Sequence, residues 1–126
     1  LLPETLLLRQ IHPSFVQEGR VSSQAFRPTP KDRDRLSVYD GDRILPEASW
    51  NHYPHILGYS SNGVLAVTHE ECSRMNLPVI EDGEPFPEHC SIDFSALSKS
   101  EIEKKAKLLN ALARQRGWLY YKESPG

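Results

Sequence analysis

Between Cys90 and Tyr121 the spacing of apolar residues changes twice. Ser91-Ile92-Asp93-Phe94 alternates polar and apolar, as a half-buried strand does. From Ile102 the apolar positions recur every third or fourth residue. At about 100° per residue, Ile102, Ala106, Leu109 and Ala113 share one helical face, with Leu108 and Leu112 beside them. Lys105 and Arg116 project near that face, while Glu103, Lys104, Lys107, Ala111, Arg114 and Gln115 lie opposite. Ser98 and Glu101 form S-x-x-E, and Ser100 and Glu103 repeat it two residues on; either pair suits a capping box. The pattern predicts a helix from Lys99 to Arg116, closed by Gly117 in the left-handed region. Trp118-Leu119-Tyr120-Tyr121 then reads as an aromatic strand.

Earlier in the chain, Thr5 to Ile11 reads as a buried strand. Pro13 opens a short helical turn through Gln17 that Gly19 ends, and Val21 to Phe26 reads as a second strand. Arg27-Pro28-Thr29-Pro30 breaks it, and Lys31 to Arg35 is a solvated loop. Leu36 to Tyr39 is a short alternating strand, and Asp40-Gly41 a turn. Pro46 starts a helix over Glu47 to Tyr53, anchored by Trp50 and ended by Pro54. Val64 to Val67 is an unbroken apolar run, as in an inner strand. Thr68 and Glu71 cap a helix that runs to Asn76, before Pro78. Glu81 to Glu88 is a proline-containing loop.

Helices of this kind need a sheet to cover their apolar stripe. The expected fold is α+β: a small mixed sheet covered by one long C-terminal helix and two or three short helices, in one globular domain over residues 1–126. The formal net charge of -2 gives no general attraction to nucleic acid. Cys72 and Cys90 are expected as two free thiols. The apolar opening Leu1 to Leu8 is too short and interrupted for a membrane span, and it lacks the basic leader and cleavage site of a signal peptide. The expected location is therefore the cytoplasm, with no membrane partner.

Candidate chemistry is sparse. His69-x-x-Cys72 and His52-x-x-His55 have ligand-like spacing, but the pairs are heterogeneous and Pro54 interrupts one. Asp40-Gly41-Asp42 places two acids at a turn without the rest of a calcium loop. His89 and Cys90 are strand neighbours and point to opposite faces, a poor arrangement for a thiol nucleophile and its base. Neither metal nor cofactor is assigned.

A further stretch joins Leu8-Arg9-Gln10-Ile11-His12-Pro13 to Gly19-Arg20-Val21-Ser22-Ser23-Gln24-Ala25-Phe26. A strand-borne arginine and histidine ahead of a serine pair resembles the nucleotide-cradling core of ADP-ribosyltransferases, over about a sixth of the chain. The resemblance implies that Arg9 and His12 hold a dinucleotide and that Ser22 and Ser23 shape its pocket. The serine pair stands closer to the arginine than in that family, and no late glutamate has a catalytic setting. Without the resemblance, the same residues make a strand with a polar side and a serine-lined turn. Arg20, Arg27, Lys31, Arg33 and Arg35, with Phe26 and Tyr39 for stacking, are of types that contact nucleic acid. Asp32, Asp34, Asp40 and Asp42 dilute that patch.

The leading expectation is a non-enzymatic module that binds another protein, in the manner of an accessory, immunity or antitoxin subunit. Trp50, Tyr53 and Tyr59 are its candidate interface anchors. A nucleotide-handling enzyme comes second, with Arg9, His12, Ser22, Ser23 and Arg27 as candidate ligand-binding residues. Nucleic-acid binding through Arg20 to Arg35 comes third. No catalytic residue is assigned.

Overall fold

The computed structural model describes residues 1–122, with the backbone alone at 55–57. Its centre is β1 (Leu6–Ile11), whose apolar run pairs on both sides. β2 (Val16–Gln17) and β3 (Arg20–Val21) form a separate hairpin. The chain continues through β4 (Arg35–Asp40), α1 (Pro46–Leu57), β5 (Gly63–Thr68) and α2 (His69–Arg74). β6 (Val79–Ile80), β7 (His89–Asp93), α3 (Lys99–Arg116) and β8 (Tyr120–Tyr121) follow. The main sheet has the order β6-β7-β4-β1-β5-β8.

The α+β architecture is as expected, but the sheet is antiparallel at every pairing rather than mixed. The reason lies in the connections. β4 and β5 run parallel, joined through α1, yet β1 lies between them and opposes both. β7 and β8 are likewise joined through α3 and lie far apart in the sheet. Parallel strands are thus never neighbours.

Alternation along the strands divides the apolar side chains between two faces. One core holds Leu7, Ile11, Leu36, Val38, Leu65, Ile92 and Phe94 with Ala106, Leu109 and Ala113 of α3. The other holds Leu8, Tyr39, Val64 and Ala66, packed by Trp50, Tyr53 and Phe86. Leu109 is fully buried. Leu108, expected beside the buried stripe, stands 46% exposed because its direction points off the sheet. Both capping boxes form, Ser98 with Glu101 and Thr68 with Glu71.

Several element boundaries differ from expectation. Residues 18 and 19 form the β2–β3 turn, with positive φ at both, so Gly19 does not close a helix. Val21 ends a strand, and Ser23–Phe26 is a short 3-10 turn that buries Ala25 and Phe26. Pro54 lies inside α1; Gly58, at φ 77°, closes that helix. Gly117 has φ 90° but extended ψ, so α3 ends without the left-handed cap.

At the far end of α3, Arg116 donates to the Ala66 carbonyl at 2.8 Å and to both Glu71 oxygens at 3.1 Å. Glu71 also accepts from the Thr68 amide. The fork ties α3 to β5 and to the start of α2. Its bidentate geometry sets it above an ordinary surface pair. Arg116→Ala is expected to lower stability by about 1–3 kcal/mol in urea unfolding. Glu71→Gln should cost less when Arg116 is already absent.

Candidate functional site

β1 and β4 pair only at Leu7–Asp40 and Leu8–Tyr39. Beyond Leu8 they part, although β1 continues to pair with β5 as far as Ile11. A cleft of about 430 Å³ opens at the split. That volume falls in the range of small-molecule sites. Arg9, Gln10, Ser37, Val38 and Tyr39 supply the parted strands; Tyr53 and Tyr59 come from α1 and the loop after it. Lys31 and Asp32 stand at one side, and Pro85, Phe86 and His89 at another.

Arg9 takes the place of a strand pairing. Its Nε donates to the Ala25 carbonyl at 2.8 Å and its Nη1 to the Ser37 carbonyl at 3.0 Å. None of the ion pairs among the described residues includes Arg9. Burial disfavours its charge, and Tyr53 and Asp32 only partly offset that. Gln10 is locked nearby: its amide nitrogen donates to Ser49 at 2.9 Å, and Ser61 donates to its oxygen at 2.8 Å.

The opposite wall is aromatic. Tyr39 stacks on Phe86 with ring centres 4.9 Å apart, and Phe86 meets the edge of His89 at 5.3 Å. The Tyr39 hydroxyl lies 2.8 Å from His52 Nδ1. Tyr53 and Tyr59 have ring centres 5.2 Å apart. Burial raises the phenol pKa of both Tyr39 and Tyr53, which keeps them neutral donors.

His89 and Ser91 are two apart on β7 and therefore share a face. Asp82, in the loop ahead of them, accepts from both. Its Oδ1 lies 2.6 Å from His89 Nδ1, and its Oδ2 accepts from Ser91 Oγ at 2.7 Å. A carboxylate can only accept, so Nδ1 carries the proton and Nε2 is the free ring nitrogen. Burial works against the Asp82 carboxylate, but the bonds from His89 and Ser91 outweigh it and lower its pKa. A lowered folded pKa stabilises the protein above the unfolded carboxylate value, about pH 4. That stability is lost as pH falls through the folded value. Thermal melts followed by circular dichroism from about pH 5 down to pH 2 should show this loss, and Asp82→Asn should show less of it.

The residues singled out in the sequence scatter. Arg9, Tyr53 and Tyr59 meet at the cleft. His12 is exposed and its Nδ1 serves Ser14, through the backbone amide at 3.0 Å. Ser22 and Ser23 line a separate, open hollow with Arg20, Asn110 and Arg114. Arg27 is half-buried and lines neither. Trp50 turns inward, donating to the Ser61 carbonyl at 2.9 Å and lying against Tyr120. Phe26 lies in the core rather than in the basic patch.

Cys72 and Cys90 are free and buried, and burial pushes their thiols up to about 12 and about 11. Asp40 accepts from the Asp42 amide at 2.9 Å, as a turn requires. The His55 side chain lies outside the described residues. Among those that are described, no group of three or more His, Cys, Asp or Glu is placed to hold a metal. No helix there is long and apolar enough to cross a membrane.

Sequence alone points to His89 only as a poorly placed base for Cys90, and it does not point to Asp82, Ser91 or Phe86. One signal was available: the alternation that separates His89 from Cys90 also sets His89 beside Ser91. No protein-family model matches the chain, and no curated protein or solved structure is similar enough to it to count as a match.

Proposed function

We propose that the cleft binds a nucleotide or a nucleotide-derived anion. The observation that carries this reading is Arg9, a cation fixed by two backbone carbonyls, facing a cavity and paired with no carboxylate among the described residues. A half-buried guanidinium with no carboxylate in contact is costly, and Asp32 at the side of the cleft offsets only part of that. An anionic ligand supplies the partner, and the remaining guanidinium N–H groups match phosphate oxygens. Phe86, Tyr53 and Tyr59 offer aromatic surface for a planar base, with the buried Tyr39 ring stacked behind Phe86. Lys31 and Asp32 at the side of the cleft add one charge of each sign, so the preference for an anion rests on Arg9.

Under this reading Tyr53 and Tyr59 serve a small ligand, where the sequence suggested a protein interface. Arg9 keeps the role that the transferase resemblance implied; His12, Ser22 and Ser23 lie outside the cleft. Calorimetric titration with AMP, ADP-ribose, NAD and adenosine tests the proposal. Phosphate-bearing compounds should bind at least about tenfold more tightly than adenosine, which corresponds to about 1.4 kcal/mol. Equal affinity for AMP and adenosine, or no binding by any of them, would refute it.

A further inference from the structure

We infer that the same cleft hydrolyses a phosphorus–oxygen bond of its ligand, with His89 as the proton-transfer group. The inference rests on the nucleotide reading above. A histidine used only to brace the fold commonly commits both ring nitrogens to the protein. Here Nδ1 is held by Asp82 at 2.6 Å, while Nε2 has no partner among the described residues and is not sealed in the interior. His89 is 9% exposed, and it lines the cavity that Arg9 also lines. Ser91 holds the second carboxylate oxygen at 2.7 Å, so Asp82 cannot swing away. This arrangement fixes the tautomer and orients the ring, which leaves Nε2 aimed at the cleft as the acceptor. The Phe86 edge contact at 5.3 Å also restrains the ring.

The co-reactant is water. His89 Nε2 takes a proton from a water molecule as its oxygen forms a bond to the ligand's phosphorus. The bond from phosphorus to the leaving oxygen breaks, and its electron pair stays on that oxygen. The imidazolium then returns the proton to the leaving oxygen, so His89 ends as it began. Arg9 holds the non-bridging oxygens and counters their negative charge. Asp82 is a positioning residue and His89 is catalytic.

ATP, ADP-ribose, NAD and cyclic AMP are the probes, with binding read by calorimetry and cleavage by phosphorus NMR. The native protein should split at least one compound that it binds, at a phosphorus–oxygen bond. His89→Gln should bind that compound within about threefold of the native affinity and split it about a hundredfold or more slowly. Asp82→Asn should lower kcat and leave KM within about twofold, a split that loss of structure alone would not give. It also carries the test if His89→Gln does not fold. Binding without cleavage of any probe overturns the inference and leaves the nucleotide reading standing. Cleavage by His89→Gln at the native rate overturns it too. If no probe binds, the nucleotide reading fails and this inference with it.

Discussion

Arg9→Met is expected to weaken binding of phosphate-bearing nucleotides by about 30-fold to several thousandfold. The range follows from about 2–5 kcal/mol for removing one member of a hydrogen-bonded charge pair away from water. Methionine keeps much of the length and removes the charge and all donors. The fold should tolerate it better than the ligand does. Two carbonyls, of Ala25 and Ser37, lose their donors, at about 1 kcal/mol each. Against this, a half-buried cation with no carboxylate in contact disappears, which returns part of the cost. Arg9→Lys separates charge from geometry. An ammonium keeps the positive charge but cannot hold two carbonyls and a phosphate in one plane, so its affinity should fall between the native and Met values. Calorimetry with AMP, beside a thermal melt of each variant, reads both effects. A variant that melts normally and still binds AMP with native affinity would remove Arg9 from the site.

The parts of the fold legible in the sequence are those governed by local chemistry. The α3 limits, both capping boxes and the inner strand at Val64–Val67 follow from periodicity and hydroxyl–carboxylate spacing. The site is different in kind. Its cleft exists because β1 and β4 cease to pair after Leu8, and no residue of either strand announces that split. Arg9 was singled out for its place on a strand, but its partners come from positions 25 and 37, which only the folded chain brings together. Asp82 is one acid in a loop of several, and it gains meaning from the shared face of His89 and Ser91. The loop 81–88 is legible as a proline-containing connection, and Phe86 shows its use in lining the cleft. Ser22 and Ser23 failed as partners of Arg9 because the β2–β3 hairpin carries them into another hollow.

Leu109→Ala is expected to cost about 2–5 kcal/mol, the range for emptying a fully buried leucine site. Leu109 has no exposed surface and belongs to the core that joins α3 to the sheet. α3 packs on β5 and on the 3-10 turn at Ser23–Phe26. The lost volume therefore lies between three elements whose backbones are held by hydrogen bonds, and none can collapse freely into the gap. The melting temperature should fall by on the order of 10–20 °C, with a matching drop in the urea midpoint. Leu108→Ala is the control, one residue away on the same helix. With 46% of its surface exposed, Leu108 should change stability by no more than about 0.5 kcal/mol, and the better helix propensity of alanine offsets part of that. The contrast tests the rotation of α3 about its own axis, because a helix turned by one position would exchange the two results. It also bears on the cleft. The Ala25 carbonyl that receives Arg9 Nε sits on the 3-10 turn against which α3 packs. A loosened α3 should thus weaken AMP binding even though Leu109 does not line the cleft. Equal losses from Leu108→Ala and Leu109→Ala would mean that the helix presents a different face to the sheet.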